Sequence, residues 1–403
     1  MAKRESEIKY YDNKESHGMI IEWSKVWREY NKLKVPGEYF SPVGTPVEKA
    51  KYIVEMSERA TGKTTNWLLV GMILYRMYGT VIQYVRATDD QIKPSVSKGI
   101  FNVILGYENG RYIEEITDGE FNGIYIHWQK AYFCHYNEEG ERDRIDDNYF
   151  MCYLSIQSNY SYKSVYNEPT GDLILFDEFI GKNYQPNEFI QFLDLVSTIR
   201  RARLTPVIVM LANAINPHSE YFKEMEITKE VNALKVGKSE LVTTKGGTKI
   251  FIEAIGGKKS KLKELGNMLF YGFKNPRIAT ITGGDDVFAF DNYPHISFDE
   301  EKDVVIDRRL KLDTGTTLLS LDIVFTEDRG YVINVHECTR TYPDSVILTL
   351  EEIWDKQHIW GIGNSPYLKF VWNLYKQNKF YYQDNSIGSL VEDYIHRYLK
   401  EKR

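Results

Sequence analysis

The stretch Lys51–Trp67, KYIVEMSERATGKTTNW, decides the fold. Apolar and β-branched residues (Tyr52, Ile53, Val54, Met56) lead into Ser57-Glu58-Arg59-Ala60-Thr61-Gly62-Lys63-Thr64-Thr65, and a helical pattern follows. Read as strand, loop and helix, it fits the phosphate-loop pattern G-x-x-x-x-G-K-[ST], with Ser57 in place of the first glycine. Gly62 lets backbone N–H groups close on a phosphate, and the helix start adds its positive dipole end. Lys63 reaches the β- and γ-phosphates, while the Thr64 hydroxyl ligates Mg²⁺.

A second stretch, Asp172–Glu178 (DLILFDE), is a buried-strand run ending in two adjacent carboxylates. Parallel α/β sheets hold their ligands at the carboxyl ends of the strands. Asp177 is therefore expected beside the loop, holding Mg²⁺ through water, with Glu178 polarising the attacking water. Together the two motifs point to nucleotide hydrolysis with ATP and Mg²⁺.

Downstream, Asn187–Arg200 reads as an amphipathic helix with Phe189, Phe192, Leu193 and Val196 on its buried stripe. It closes on Arg200-Arg201-Ala202-Arg203, more cations than a helix dipole calls for. One of Arg200, Arg201 and Arg203, with Arg201 preferred, fits an arginine finger reaching the γ-phosphate of an adjacent subunit. The strand Pro206–Leu211 follows, and Asn213 just past its end is placed to sense the γ-phosphate.

Composition sets the bounds. The chain has 403 residues, a net charge of −6 and 30 tyrosines, so a global basic footprint is excluded. Nucleic-acid contact has to come from local cations, and Lys93, Lys98 and Lys163, all near loops, are the DNA-contact candidates. Cys134, Cys152 and Cys338 lack metal spacing and fit a reducing cytoplasm. No apolar run is long enough to span a membrane. The expected division is an ATPase domain over 1–219 with an N-terminal arm at 1–45, a lid or linker over 220–284, and a second domain over 285–403. Ser95–Leu105 reads as one helix, with Val96, Ile100, Val103 and Ile104 on its buried face. In the last domain, Thr317–Phe325 and Tyr331–His336 read as a hairpin, followed by two helices.

SERATGKT with Arg59 inside the loop, TVIQYVRATDD, NYSYKS before the carboxylate strand, LILFDEFIG and LANAINP together resemble phage DNA-packaging ATPases. The likeness is to the encapsidation proteins of small podoviruses, relatives of terminase large subunits, over about residues 45–220. It implies a P-loop NTPase of the RecA-like, additional-strand (ASCE) type with a mostly parallel sheet, followed by a smaller α+β domain like a degenerate RNase H-like nuclease. It also implies an ATP-driven homomeric ring, a pentamer in such relatives. That ring would push double-stranded DNA into a procapsid at the portal vertex in the host cytoplasm, with portal and structural RNA as partners. Lys63 and Thr64 would carry the nucleotide, Asp177 the metal, Glu178 the water and one arginine the trans contact. Arg59 could instead act in cis.

Two other functions fit parts of this pattern. A terminase with working endonuclease needs carboxylates converging on two metals. Asp322, Glu337, Asp384 and Asp393 are the acids on offer, and none stands in a metal pattern. A portal-docking scaffold that binds ATP without moving DNA needs only the first motif.

Overall fold

A computed structural model describes residues 21–57, 61–162, 173–180, 187–200, 207–213, 219–256, 293–295, 305–315, 317–327, 329–338, 346–353, 357–361 and 365–401. Contacts divide the chain into two compact units, the first holding most of the residues up to 266 and the second most of those beyond.

The first unit is built on ten strands among the described residues. They are β1 (Tyr52–Met56), β2 (Ile82–Arg86), β3 (Gly123–His127), β4 (Lys130–Tyr136), β5 (Arg142–Ile145), β6 (Met151–Ser155), β7 (Leu173–Asp177), β8 (Val207–Ala212), β9 (Lys238–Thr243) and β10 (Lys249–Ala254). The order is β3-β4-β6-β2-β7-β8-β1-β10-β9, with β5 added to β4. The six strands from β6 to β10 run parallel, and antiparallel strands extend both ends. Strand β8 lies between β1 and β7 in this mostly parallel sheet.

Residue types explain the layering. β7 and β8 are buried at every position, as strands covered on both faces must be. Helix α2 (Lys63–Tyr78) is apolar nearly all round, so it is buried rather than amphipathic. It ends at Gly79, whose left-handed φ of 71° lets its N–H reach the Tyr75 carbonyl. Gly71 sits where a Cβ would lie 2.4 Å from Ile82, so helix and sheet approach there as only glycine allows. Helix α1 (Trp23–Lys32) docks on α2 through Trp27, whose ring centroid lies 6.3 Å from that of Trp67.

Two expectations change. Ser95–Leu105 is not one helix but a chain of short helical pieces, Pro94–Ser97, Lys98–Phe101 and Asn102–Gly106. Ile104 is buried, but Val96 and Val103 are exposed, because the breaks destroy the 3.6-residue stripe. Within the stretch set apart as a lid, β9 and β10 join the first sheet, β10 pairing in parallel with β1 from Tyr52↔Ile250 to Met56↔Ala254.

The second unit carries β11 (Val305–Asp313), β12 (Leu318–Thr326), β13 (Gly330–Glu337), β14 (Ile347–Thr349), β15 (His358–Trp360) and β16 (Phe380–Tyr382). Their order is β15-β14-β11-β12-β13-β16. β11, β12 and β13 form an antiparallel meander, and β14 and β15 add in parallel on the far side of β11. The helices Pro366–Lys376 and Asn385–Glu401 supply apolar residues to the core with the strands, among them Leu368, Val371, Leu390 and Tyr394. Among the described residues no helix is long and apolar enough to cross a membrane.

Candidate nucleotide site

Strand order brings the motifs together. In register, Met56 stands beside Ala212, and Leu211 beside Asp177. The chain ends of β1, β8 and β7 therefore open side by side at the carboxyl edge, with Ser57 N–H donating to the Ala212 carbonyl and Phe179 N–H to that of Leu211. Asn213, one residue past β8, falls between the phosphate loop and the acid pair.

The loop reaches α2 through Gly62, whose φ of 86° is left-handed and whose missing Cβ leaves 3.1 Å to the Tyr39 ring. Asn66 braces it, donating to the carbonyls of Gly62 (2.9 Å) and Phe40 (2.7 Å) and accepting from the Tyr30 hydroxyl at 2.7 Å. Lys63 is 3% exposed. Its ammonium donates to Ser57 Oγ, to Thr61 Oγ1 at 3.5 Å and to Asn213 Oδ1 at 3.3 Å. Burial pushes its pKa down to about 8, against the pull chiefly of Asp177, so it remains mostly a cation at neutral pH.

Thr64 Oγ1 donates to Asp177 Oδ1 at 3.0 Å, so hydroxyl and carboxylate already meet where a shared cation would be ligated. Tyr84 donates to the other Asp177 oxygen at 2.7 Å. Glu178 follows with φ 52°, a left-handed strain that clusters at functional positions. Its Oε1 accepts from Asn213 Nδ2 at 3.0 Å.

Arg86, at the end of β2, bridges the two acids, 3.2 Å from Asp177 Oδ2 and 2.5 Å from Glu178 Oε2. Sequence reasoning missed it. β2 and β7 are neighbours in register from Ile82↔Leu173 to Val85↔Phe176, which sets Arg86 beside Asp177. The only available signal was its position at the carboxyl end of an apolar strand. Lys63, Asn213, Glu178, Arg86, Asp177 and Thr64 thus form one continuous polar network. It offers the Lys63 ammonium for phosphate, a hydroxyl–carboxylate pair for Mg²⁺ and an oriented carboxylate for water.

Other candidate residues stand elsewhere. Arg200 acts electrostatically on Lys51 and Tyr52 at the start of β1. About 16 Å of extended strand separates that end of β1 from the phosphate loop. Lys93 is exposed and paired with Asp90 at 2.5 Å, and Lys98 is exposed as well. Glu58, Arg59, Ala60, Lys163, Arg201 and Arg203 lie outside the described residues.

Among the described residues the four candidate acids of the second unit form no cluster. Asp322 is buried on β12 and flanked by Arg309 at 3.5 Å and His336 at 3.3 Å. The hydrogen bond to Asp322 raises the His336 pKa. Asp384 accepts from Ile387 N–H at the start of the last helix, and Glu337 and Asp393 are exposed. No group of three or more His, Cys, Asp or Glu side chains stands together among the described residues.

No protein-family model and no curated protein matches the sequence. Solved structures do. One chain of the bacteriophage phi29 viral genome packaging motor assembly matches 90% of this chain over 100% of its own, at 17% identity and TM-score 0.53. The phi28 gp11 DNA packaging motor matches 90% of this chain over 98% of its own, at 14% and 0.49. The N-terminal domain of the phi29 DNA packaging ATPase matches 55% over 98%, at 20% and 0.41. Over nine-tenths of its length, then, this chain resembles in fold a component of a bacteriophage genome-packaging motor.

Proposed function

We propose that this chain is the ATPase of a viral DNA-packaging motor, working as a homomeric ring at the portal vertex of a procapsid. The observation that carries the reading is the network from Lys63 through Asn213, Glu178 and Arg86 to Asp177 and Thr64. It supplies each group that in-line phosphoryl transfer to water needs within one subunit, except a second cation on the γ-phosphate. Arg200 acts on Lys51 and Tyr52 at the start of β1, the end of the strand remote from the phosphate loop, which suits an arginine given to a neighbouring subunit.

When bound, Mg²⁺ neutralises phosphate charge. Thr64 and Asp177 would hold it, Lys63 would bind the phosphates, and Glu178 would orient the water. Asn213 touches both Lys63 and Glu178, so it couples the phosphate side of the site to the water side. Lys93 and Lys98, on the exposed segment after β2, are the proposed DNA contacts. The likeness to a packaging motor extends through the second unit, and this is what favours packaging over other ATPase functions.

Purified chain, ATP, empty procapsids and double-stranded DNA are expected to give nuclease-protected DNA and turnover stimulated by DNA. Turnover indifferent to DNA, with nothing protected, would favour the docking scaffold.

The second unit is proposed to be RNase H-like and without cleavage activity. A meander with two parallel strands added to its first strand supports the fold. Asp322, held between Arg309 and His336, is already neutralised rather than free for metal. Supercoiled plasmid incubated with Mn²⁺ is expected to stay uncut, and metal-dependent linearisation lost in Asp322→Asn would establish the nuclease.

A further inference from the structure

Glu55 is a fully buried carboxyl group that phosphate chemistry as described above does not use. It lies on β1 two residues before Ser57. Its Oε2 accepts from the Trp67 indole N–H at 2.8 Å, and its Oε1 has no hydrogen-bond partner. Trp67 stands four residues after Lys63 and three after Thr64, so all three lie on neighbouring positions of the first turns of α2. The indole–carboxyl bond therefore fixes the helix start against the strand that feeds the loop.

We propose that Glu55 is a positioning residue of the nucleotide site, acting as an uncharged acceptor that anchors Trp67 and so sets Lys63 and Thr64 in place. The proposal rests on the nucleotide reading of Lys63 and Thr64. The surroundings favour the neutral form. Glu253 stands beside Glu55 in register on β10, β8 offers only Leu211, and the nearby cation is Lys63. Burial, the largest cause, raises the Glu55 pKa to about 8. A neutral Glu55 also leaves the Lys63 ammonium to the phosphates, where an ionised one would compete for it.

The test is binding of a fluorescent ATP analogue with Mg²⁺ at pH 7, with melting temperatures recorded for each variant. Glu55→Gln keeps an uncharged acceptor and is expected to bind within about threefold of wild type. Glu55→Leu leaves the buried indole N–H unpaired and is expected to bind about tenfold more weakly, as is Trp67→Phe, which removes the donor. The double variant Glu55→Leu/Trp67→Phe is expected to bind no worse than either single one, because both partners are then apolar.

Gln binding as poorly as Leu, or two single effects that multiply in the double variant, would overturn the anchor. Lys63→Ala separates this from failure of the site itself. If wild type and Lys63→Ala bind the analogue equally, the nucleotide reading falls. If Lys63→Ala alone abolishes binding and the Glu55 series departs from expectation, only the anchor falls.

Discussion

Alanine in place of Lys63 is expected to abolish measurable ATP binding and to cut turnover by at least about a thousandfold. At an effective dielectric of about 20, an ammonium about 3 Å from a phosphate oxygen contributes about 5 kcal/mol. That corresponds to between three and four powers of ten. Little of it is lost to desolvation on binding, because the fold has already removed the group from water. Ser57, Thr61 and Asn213 hold the ammonium through oxygens, which phosphate oxygens can replace.

The variant should still fold, since Arg86 continues to pair both Asp177 and Glu178. An unchanged melting temperature with lost binding is the expected pair of results. Turnover within tenfold of wild type would remove Lys63 from the site. Sign and pH follow from the same burial. A pKa lowered to about 8 in the free protein means that phosphate binding takes up protons near and above that pH. Affinity for ATP is thus expected to be fully present at pH 7 and to fall as pH rises past 8.

Glu178→Gln is expected to leave ATP binding within a few-fold of wild type while turnover falls about a thousandfold, the range for loss of a general base or water-orienting group. Asn213 stands between Lys63 and the carboxylate, touching both. Asn213 and Arg86 hold its two oxygens, and the left-handed backbone at Glu178 aims the side chain at that position. Glutamine fills the same volume but cannot accept a proton, and its amide N–H₂ faces the Arg86 guanidinium badly. The measurement is single-turnover hydrolysis beside analogue binding. Binding and hydrolysis lost together would mean that Glu178 supports the site's structure rather than its chemistry.

The motif residues were legible because each is encoded locally. Lys63 and Thr64 follow a left-handed glycine at a helix start, and Asp177, Glu178 and Asn213 follow apolar strands whose carboxyl ends must face the ligand. Arg86 was not legible, since its role depends on β2 lying next to β7, and parallel pairing has no local signature. The same reason hid the joining of β10 to β1 from within the stretch expected to be a lid or linker.

From sequence alone follow the glycine and lysine at a helix start, the acid pair, the apolar strands that lead into them and the α+β character of the later part of the chain. Those features depend on neighbours within a few residues. Tertiary structure alone decided that Arg86 clamps the acids, that Glu55 meets Trp67, and that Arg200 acts on the start of β1. Each of these is a contact between residues brought together by strand order or helix packing, and chain spacing carries no record of it.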